Sequence, residues 1–131
     1  MEDAIHEPKS AGGRIPVLIG GNGPKVTWRL AARFADELNL DAMVPRDVEA
    51  ALPVIRSRCE EIGRDPSTLR VSVHIWGAAD APAGAARRDR LRDYRDVGVD
   101  RVMVQGFGAV SDAGLLERVA EDCAAIGLLE A

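Results

Sequence analysis

The chain has 131 residues, a formal net charge of −4 and a pI near 5.2, with 47% hydrophobic and 29% charged residues. That length suits one domain with a sizeable core, and that balance excludes a disordered chain. An acidic surface speaks against a nucleic-acid partner, and no stretch reaches the roughly 18 consecutive apolar residues of a membrane span.

The opening MEDAIHEPKSAGG carries acids and no apolar h-region, so no secretory leader is expected and residues 1–15 read as a lead-in loop. A cytoplasmic protein is the expectation. Cys59 and Cys123 lie far apart, without metal or redox spacing, and are expected as small buried hydrophobes on helical stripes. No metal site is expected.

The first unit is the most informative. A strand, Pro16–Gly20, runs into Gly21-Asn22-Gly23-Pro24-Lys25, and a helix is expected from about Pro24 to Asp36, with Val26, Leu30 and Phe34 one turn apart as its apolar stripe. A strand that ends in glycines and opens into a helix aims backbone N–H groups and the positive end of the helix dipole at one spot. Glycine leaves no Cβ in the way of an anion, and Lys25 adds a mobile positive charge. The pattern suits a phosphate cradle; a plain tight turn between strand and helix is the other reading. GGNGPKVT matches neither the P-loop spacing nor GxGxxG, since Val26 stands where the third glycine belongs. Asp41 lies about where a ribose-binding acid would, which keeps a dinucleotide-binding module of doubly wound type as an alternative.

The second unit begins with a short strand at Leu38-Asn39-Leu40. Its helix carries Val48, Leu52, Ile55, Cys59 and Ile62 at spacings of 4, 3, 4 and 3, with Pro53 kinking it or marking its start and Gly63 capping it. The third strand, Leu69–Trp76, alternates Val71, Val73 and Ile75 on one face with Ser72, His74 and Trp76 on the other. GAADAPAGA, residues 77–85, follows as the expected mobile loop. The next helix carries Leu91, Tyr94 and Val97 and ends at Gly98, while arginines 87, 88, 90, 92 and 95, interleaved with Asp89, Asp93 and Asp96, read as a solvated face. The fourth unit is Arg101–Gln105, a loop Gly106-Phe107-Gly108, and a helix capped by Ser111 or Asp112 with the stripe Leu116, Val119, Cys123, Ile126 and a stop at Gly127. Repeated βα units with apolar strands predict an α/β fold with a parallel sheet covered by helices.

RIPVLIGGNGPKVTWRLAARFADELNLD, then CEEIGRDPSTLRVSV and YRDVGVDRVMVQGFG, taken in this order, resemble the luciferase-like flavin and deazaflavin oxidoreductases, closest to the branch that uses coenzyme F420. AIHEPKS resembles the segment that precedes the glycine loop in that branch. The resemblance implies a (β/α)8 barrel with the cofactor at the C-terminal ends of the strands. Such barrels typically need about 250 residues, and by resemblance the four βα units of residues 1–131 correspond to strands five to eight: a half-barrel fragment forming a single domain. In that family the ring pocket and the usual proton-transferring residues come largely from the first half, and the resemblance names no catalytic residue here.

By resemblance the anion is the phosphate-bearing tail of F420, with FMN as the alternative cofactor. Gly20, Gly21, Asn22 and Gly23 would supply backbone donors, with Lys25 nearby. Asn39 and Asp41 end the second strand on the same rim, or merely form its turn. His74 faces the lumen as a cofactor contact or as a hydrogen-bonded core residue, and Gln105, Gly106 and Phe107 line the pocket or plug the barrel end. The implied activity is hydride transfer to or from a small organic substrate; an FMN-dependent monooxygenase of the same fold is the near rival. Alternatively the chain is a catalytically inactive half-barrel or truncated remnant. Its two end strands expose edges that a copy of itself, or a separate N-terminal half-barrel, would cover.

Overall fold

The computed structural model describes residues 12–76, 83–105, 112 and 114–128. The order is β1 (Leu18–Gly20), α1 (Thr27–Phe34), β2 (Glu37–Asp41), α2 (Pro45–Glu60), a 3₁₀ turn (Pro66–Thr68), β3 (Arg70–Trp76), α3 (Ala85–Asp96), β4 (Arg101–Gln105) and α4 (Leu115–Ala124). The strands form one parallel sheet in the order β1-β2-β3-β4. These are four consecutive βα units, as expected. Among the described residues no helix is long and apolar enough to cross a membrane.

Period-two alternation gives the sheet two unlike faces. Leu38, Leu40, Val71, Val73 and Ile75 are buried, in one core with Ala31, Ala32, Val48, Ile55, Cys59 and Tyr94 from the helices. The opposite parity is polar and self-satisfied. Asn39 Nδ2 donates to Ser72 Oγ (2.8 Å), and both residues are buried. Glu37 accepts from Arg101 (2.6 Å) and lies 3.7 Å from Arg70. Among the described residues no buried side-chain polar atom of this face lacks a partner, as burial requires.

Side chains also close the helix ends. Arg64 donates to the carbonyls of Ala32 (2.9 Å) and Ala35 (2.8 Å) at the end of α1, which have no helical partner of their own. Gly63, at φ +72°, lets the chain reverse after α2, so that Arg64 N–H reaches Cys59 O (3.0 Å). Asp36 accepts from Val17 N–H and from Arg14; the backbone donor first, then the guanidinium, holds its carboxyl below the usual range. Burial pushes the Cys59 and Cys123 thiols up, as suits small hydrophobes.

Four sequence expectations need correction. The buried face of α1 is Trp28, Ala31 and Ala32, whereas Val26, Leu30 and Phe34 are exposed. Small alanines let the helix sit close on the sheet, and the large residues are left on the far flank. On α2 the stripe holds from Val48 to Cys59, but Ile62 is past the helix end and exposed; Pro45 marks the start, and the helix runs through Pro53. Arg87 is not solvated: it is buried and paired with Asp122 of α4 at 3.0 Å. On α4, Leu116 is exposed and Asp122 is the buried residue, so the apolar stripe is only partly used.

Candidate functional site

The C-terminal ends of the four strands form one rim. At its first position the β1–α1 turn is built tightly. Gly21 has φ +133°, which side chains rarely adopt, and its N–H donates to Asn39 O (2.9 Å). A Cβ on Gly23 would sit 2.9 Å from Thr27 Oγ1, and one on Gly21 would meet Thr27 Cγ2 at 3.2 Å. Thr27 therefore dictates both glycines. Trp28 pins the same loop, its Nε1 donating to Gly21 O (3.2 Å) and its N–H to Gly23 O (3.1 Å).

The side chain of Asn22 faces its neighbour strand. Its amide donates to Asp41 O (2.8 Å) and accepts from Asp41 N–H (2.9 Å), a two-bond clamp between the loop and the end of β2. With Asn22 locked and the Gly21 N–H committed to the sheet, the donors left open differ from the expected set. Among the described residues, the N–H groups of Asn22, Gly23, Lys25 and Val26 meet no protein acceptor, and Lys25 makes no ion pair. The first turn of α1 carries no acid and no side-chain cap, so the dipole end stays positive.

Farther along the rim, His74 and Trp76 of β3 stack with ring centroids 4.7 Å apart and planes 10° from parallel. His74 Nε2 lies 3.1 Å from Gln105 Oε1 of β4, and Trp76 Nε1 donates to Asp41 Oδ1 (2.6 Å). The side chains of Asp41, Trp76, His74 and Gln105 thus form one connected row over three strands. Asn39 lies a layer below this row, tied to Ser72 and, at 3.9 Å, to Met103 Sδ. Ala42, just after Asp41, has φ +50°, a left-handed non-glycine on the rim, where such strain tends to collect. Gly106 and Phe107 lie outside the described residues, as do Ser111 and most of the 77–85 loop.

Gly20, Gly21, Asn22, Gly23 and Lys25 lie together at the end of β1 and Gln105 ends β4 on the same rim, as expected from the sequence, whereas Asn39, expected on that rim, is buried against Ser72. The sequence reading missed Thr27, Trp28 and the Trp76–Asp41 bond. Thr27 offered a faint signal, being a β-branched residue one turn after the glycines; a tryptophan-to-aspartate bond across strands has none. A cleft of about 700 Å³ at the opposite end of the sheet, lined by Arg14, Asp36, Glu37, Arg70 and Arg101, offers no rival site, because those charges pair with one another. Among the described residues no cluster of His, Cys, Asp or Glu is placed to hold a metal.

Known proteins share this fold. The sequence profile of the luciferase-like monooxygenase family matches residues 2–123. A 5,10-methylenetetrahydromethanopterin reductase of Methanolobus tindarius is 31% identical over 75 residues, 57% of this chain and 23% of that protein. Among solved structures, the coenzyme F420 dependent tetrahydromethanopterin reductase of Methanopyrus kandleri superposes with a TM-score of 0.58 at 16% identity, over 72% of this chain and 46% of that one. An F420-dependent secondary alcohol dehydrogenase, solved with an F420-acetone adduct, gives 0.58 at 15% identity, over 70% and 43%. The chain thus spans under half the length of each of these three proteins, and its four units correspond to part of the fold of the two solved ones.

Proposed function

We propose that this chain, which belongs to the luciferase-like monooxygenase family, supplies the tail-binding part of a coenzyme F420-dependent oxidoreductase. The observation that carries the reading is the β1–α1 turn: N–H groups of Asn22, Gly23, Lys25 and Val26 and a Lys25 side chain without partners among the described residues, on the strand-end rim where such barrels place phosphates. The loop fits an anion, because Gly23 has no room for a Cβ and the Asn22 clamp holds the backbone in place before a ligand arrives. The names of the matched relatives, two of them F420-dependent, favour F420 as the owner of that phosphate.

In this reading Gly20 and Gly23 let the tail approach the main chain, and Lys25 neutralises part of its charge. The row Asp41, Trp76, His74 and Gln105 lines the way from tail to ring, and its mutual hydrogen bonds fix side chains that would otherwise swing. When bound, the deazaflavin ring would take up or give a hydride, chemistry that belongs to the cofactor. The protein's share is orientation: a fixed tail leaves the ring few poses before a small organic substrate. Parallel fluorescence and absorbance titrations of the chain with F420 and with FMN test the choice of cofactor. F420, whose tail is longer and more negatively charged, is expected to bind more tightly; tighter FMN binding would overturn the assignment.

A further inference from the structure

We propose that Asn22 is a deamidation site, gated by its own hydrogen-bond clamp, and that its conversion shuts the anion-binding turn. The chain holds two asparagines, Asn22 and Asn39, and of these Asn22 alone precedes a glycine. Loss of an asparagine amide starts at the backbone nitrogen of the next residue, and glycine sets no side chain in the way of that attack. Asn22 is exposed and lies between β1 and α1, outside both, and the Gly23 N–H meets no acceptor among the described residues. Asn39 is the opposite case. It is buried in β2, its amide donates to Ser72 Oγ (2.8 Å), and the buried Leu40 follows it.

The step needs only water and hydroxide. The Gly23 nitrogen gives up its proton and attacks Asn22 Cγ. The new C–N bond closes a cyclic imide, the Cγ–Nδ2 bond breaks, and the amide nitrogen leaves as ammonia. Water then opens the imide at one carbonyl to give aspartate, or at the other to give isoaspartate; nothing is oxidised or reduced. In the folded turn the amide is held back from this attack. Its nitrogen donates to Asp41 O (2.8 Å) and its oxygen accepts from Asp41 N–H (2.9 Å). Gly23 is held as well, its carbonyl accepting from Trp28 N–H (3.1 Å). Asn22 Cγ can turn toward the Gly23 nitrogen once both amide bonds are given up, so the clamp sets the rate.

The product cannot rebuild the clamp. A carboxylate only accepts hydrogen bonds, so Asp41 O loses its donor and meets an oxygen instead. The new negative charge also sits beside open N–H groups and a helix N-terminus, where it competes with a bound anion. Isoaspartate lengthens the main chain of a turn that Thr27 fits closely, Gly23 having no room for a Cβ. The effect on anion binding rests on the reading of the turn given above; the conversion and its gating do not.

Incubation of the 131-residue chain at mildly alkaline pH, folded and in concentrated urea, tests the gating, with peptide mass mapping and enzymatic detection of isoaspartate as readouts. In the folded chain conversion is expected at Asn22 and not at Asn39. In urea it should run about tenfold or more faster at Asn22, from the two hydrogen bonds lost. Equal rates in the two states, or no conversion at Asn22 in urea, would overturn the proposal. Asn22→Asp, shown by circular dichroism to be folded, is expected to move the Asp41 amide resonance and to bind inorganic phosphate about tenfold more weakly. An unmoved Asp41 resonance, or phosphate affinity equal to that of the native chain, would overturn the shut-off. Phosphate left unbound by the native chain would overturn the reading of the turn itself, while the mass map still decides the conversion.

Discussion

Asp122→Ala is expected to lower the stability of the chain by about 3–5 kcal/mol, the usual effect of breaking a buried ion pair from one side. The Asp122 carboxylate accepts from Arg87 (3.0 Å), Arg88 (2.8 Å) and the Gly84 N–H (3.0 Å), and its side chain and that of Arg87 are each 5% exposed. It ties α4 to the start of α3 where few apolar residues do so. Leu116 points outward, and Asp122 is the buried residue of α4. A loss of this size is a large part of the roughly 5–15 kcal/mol that holds a typical domain. Urea denaturation checks it, with Asp89→Ala as the control, since the exposed Arg92–Asp89 pair is expected to contribute under about 1 kcal/mol. Equal midpoints for the two variants would show that the buried pair does not hold the helices together.

Gly23→Ala is expected to weaken F420 binding by about tenfold or more, roughly 1.4 kcal/mol, while costing about 1–3 kcal/mol of stability through overpacking. The new methyl group would lie 2.9 Å from Thr27 Oγ1. Thr27 has only two favoured χ1 rotamers in a helix, and its Oγ1, Cβ and backbone N all lie within 4 Å of the new carbon, so turning the side chain does not clear the site. The loop has to give instead, and it carries the open N–H groups of Asn22, Gly23 and Lys25. Thr27→Ala in the same background removes the obstacle and should restore much of both losses. Affinity unchanged in Gly23→Ala, with stability lowered, would assign the glycine to helix packing alone.

The parts of this fold that were legible in the sequence share a cause. β3 was plain because alternation of Val71, Val73 and Ile75 with Ser72, His74 and Trp76 reflects two different environments, helix layer and polar face. Gly63, Gly98 and Gly127 were plain as helix stops because each takes up positive φ. What misled was size. Periodicity alone gives α1 two possible faces, and the larger residues, Val26, Leu30 and Phe34, attracted the assignment that Ala31, Ala32 and Trp28 deserved. A pattern of apolar letters cannot tell an exposed apolar stripe from one that faces a core. Arg87 misled for the opposite reason: its charge reads as solvated until the partner, Asp122, is brought near by the fold.

At the site, the glycine loop was legible as a strand-to-helix turn, but its donors were not. Gly21 turned out to spend its N–H on Asn39, and Asn22 its side chain on Asp41. Neither bond has a local signature, since both join positions 18 or more apart along the chain. The row Asp41–Trp76–His74–Gln105 likewise depends on strand register, with Asp41 beside His74 and Trp76 beside Gln105.

If the β1–α1 turn holds the phosphate-bearing tail, amide chemical-shift mapping reads it residue by residue. On titration of the ¹⁵N-labelled chain with F420, the largest shifts are expected at Asn22, Gly23, Lys25 and Val26, and a deazaflavin without the phosphate should leave these four amides unmoved. Shifts at these residues of equal size with the phosphate-free compound, or none at all with F420, would show that the turn does not hold the phosphate.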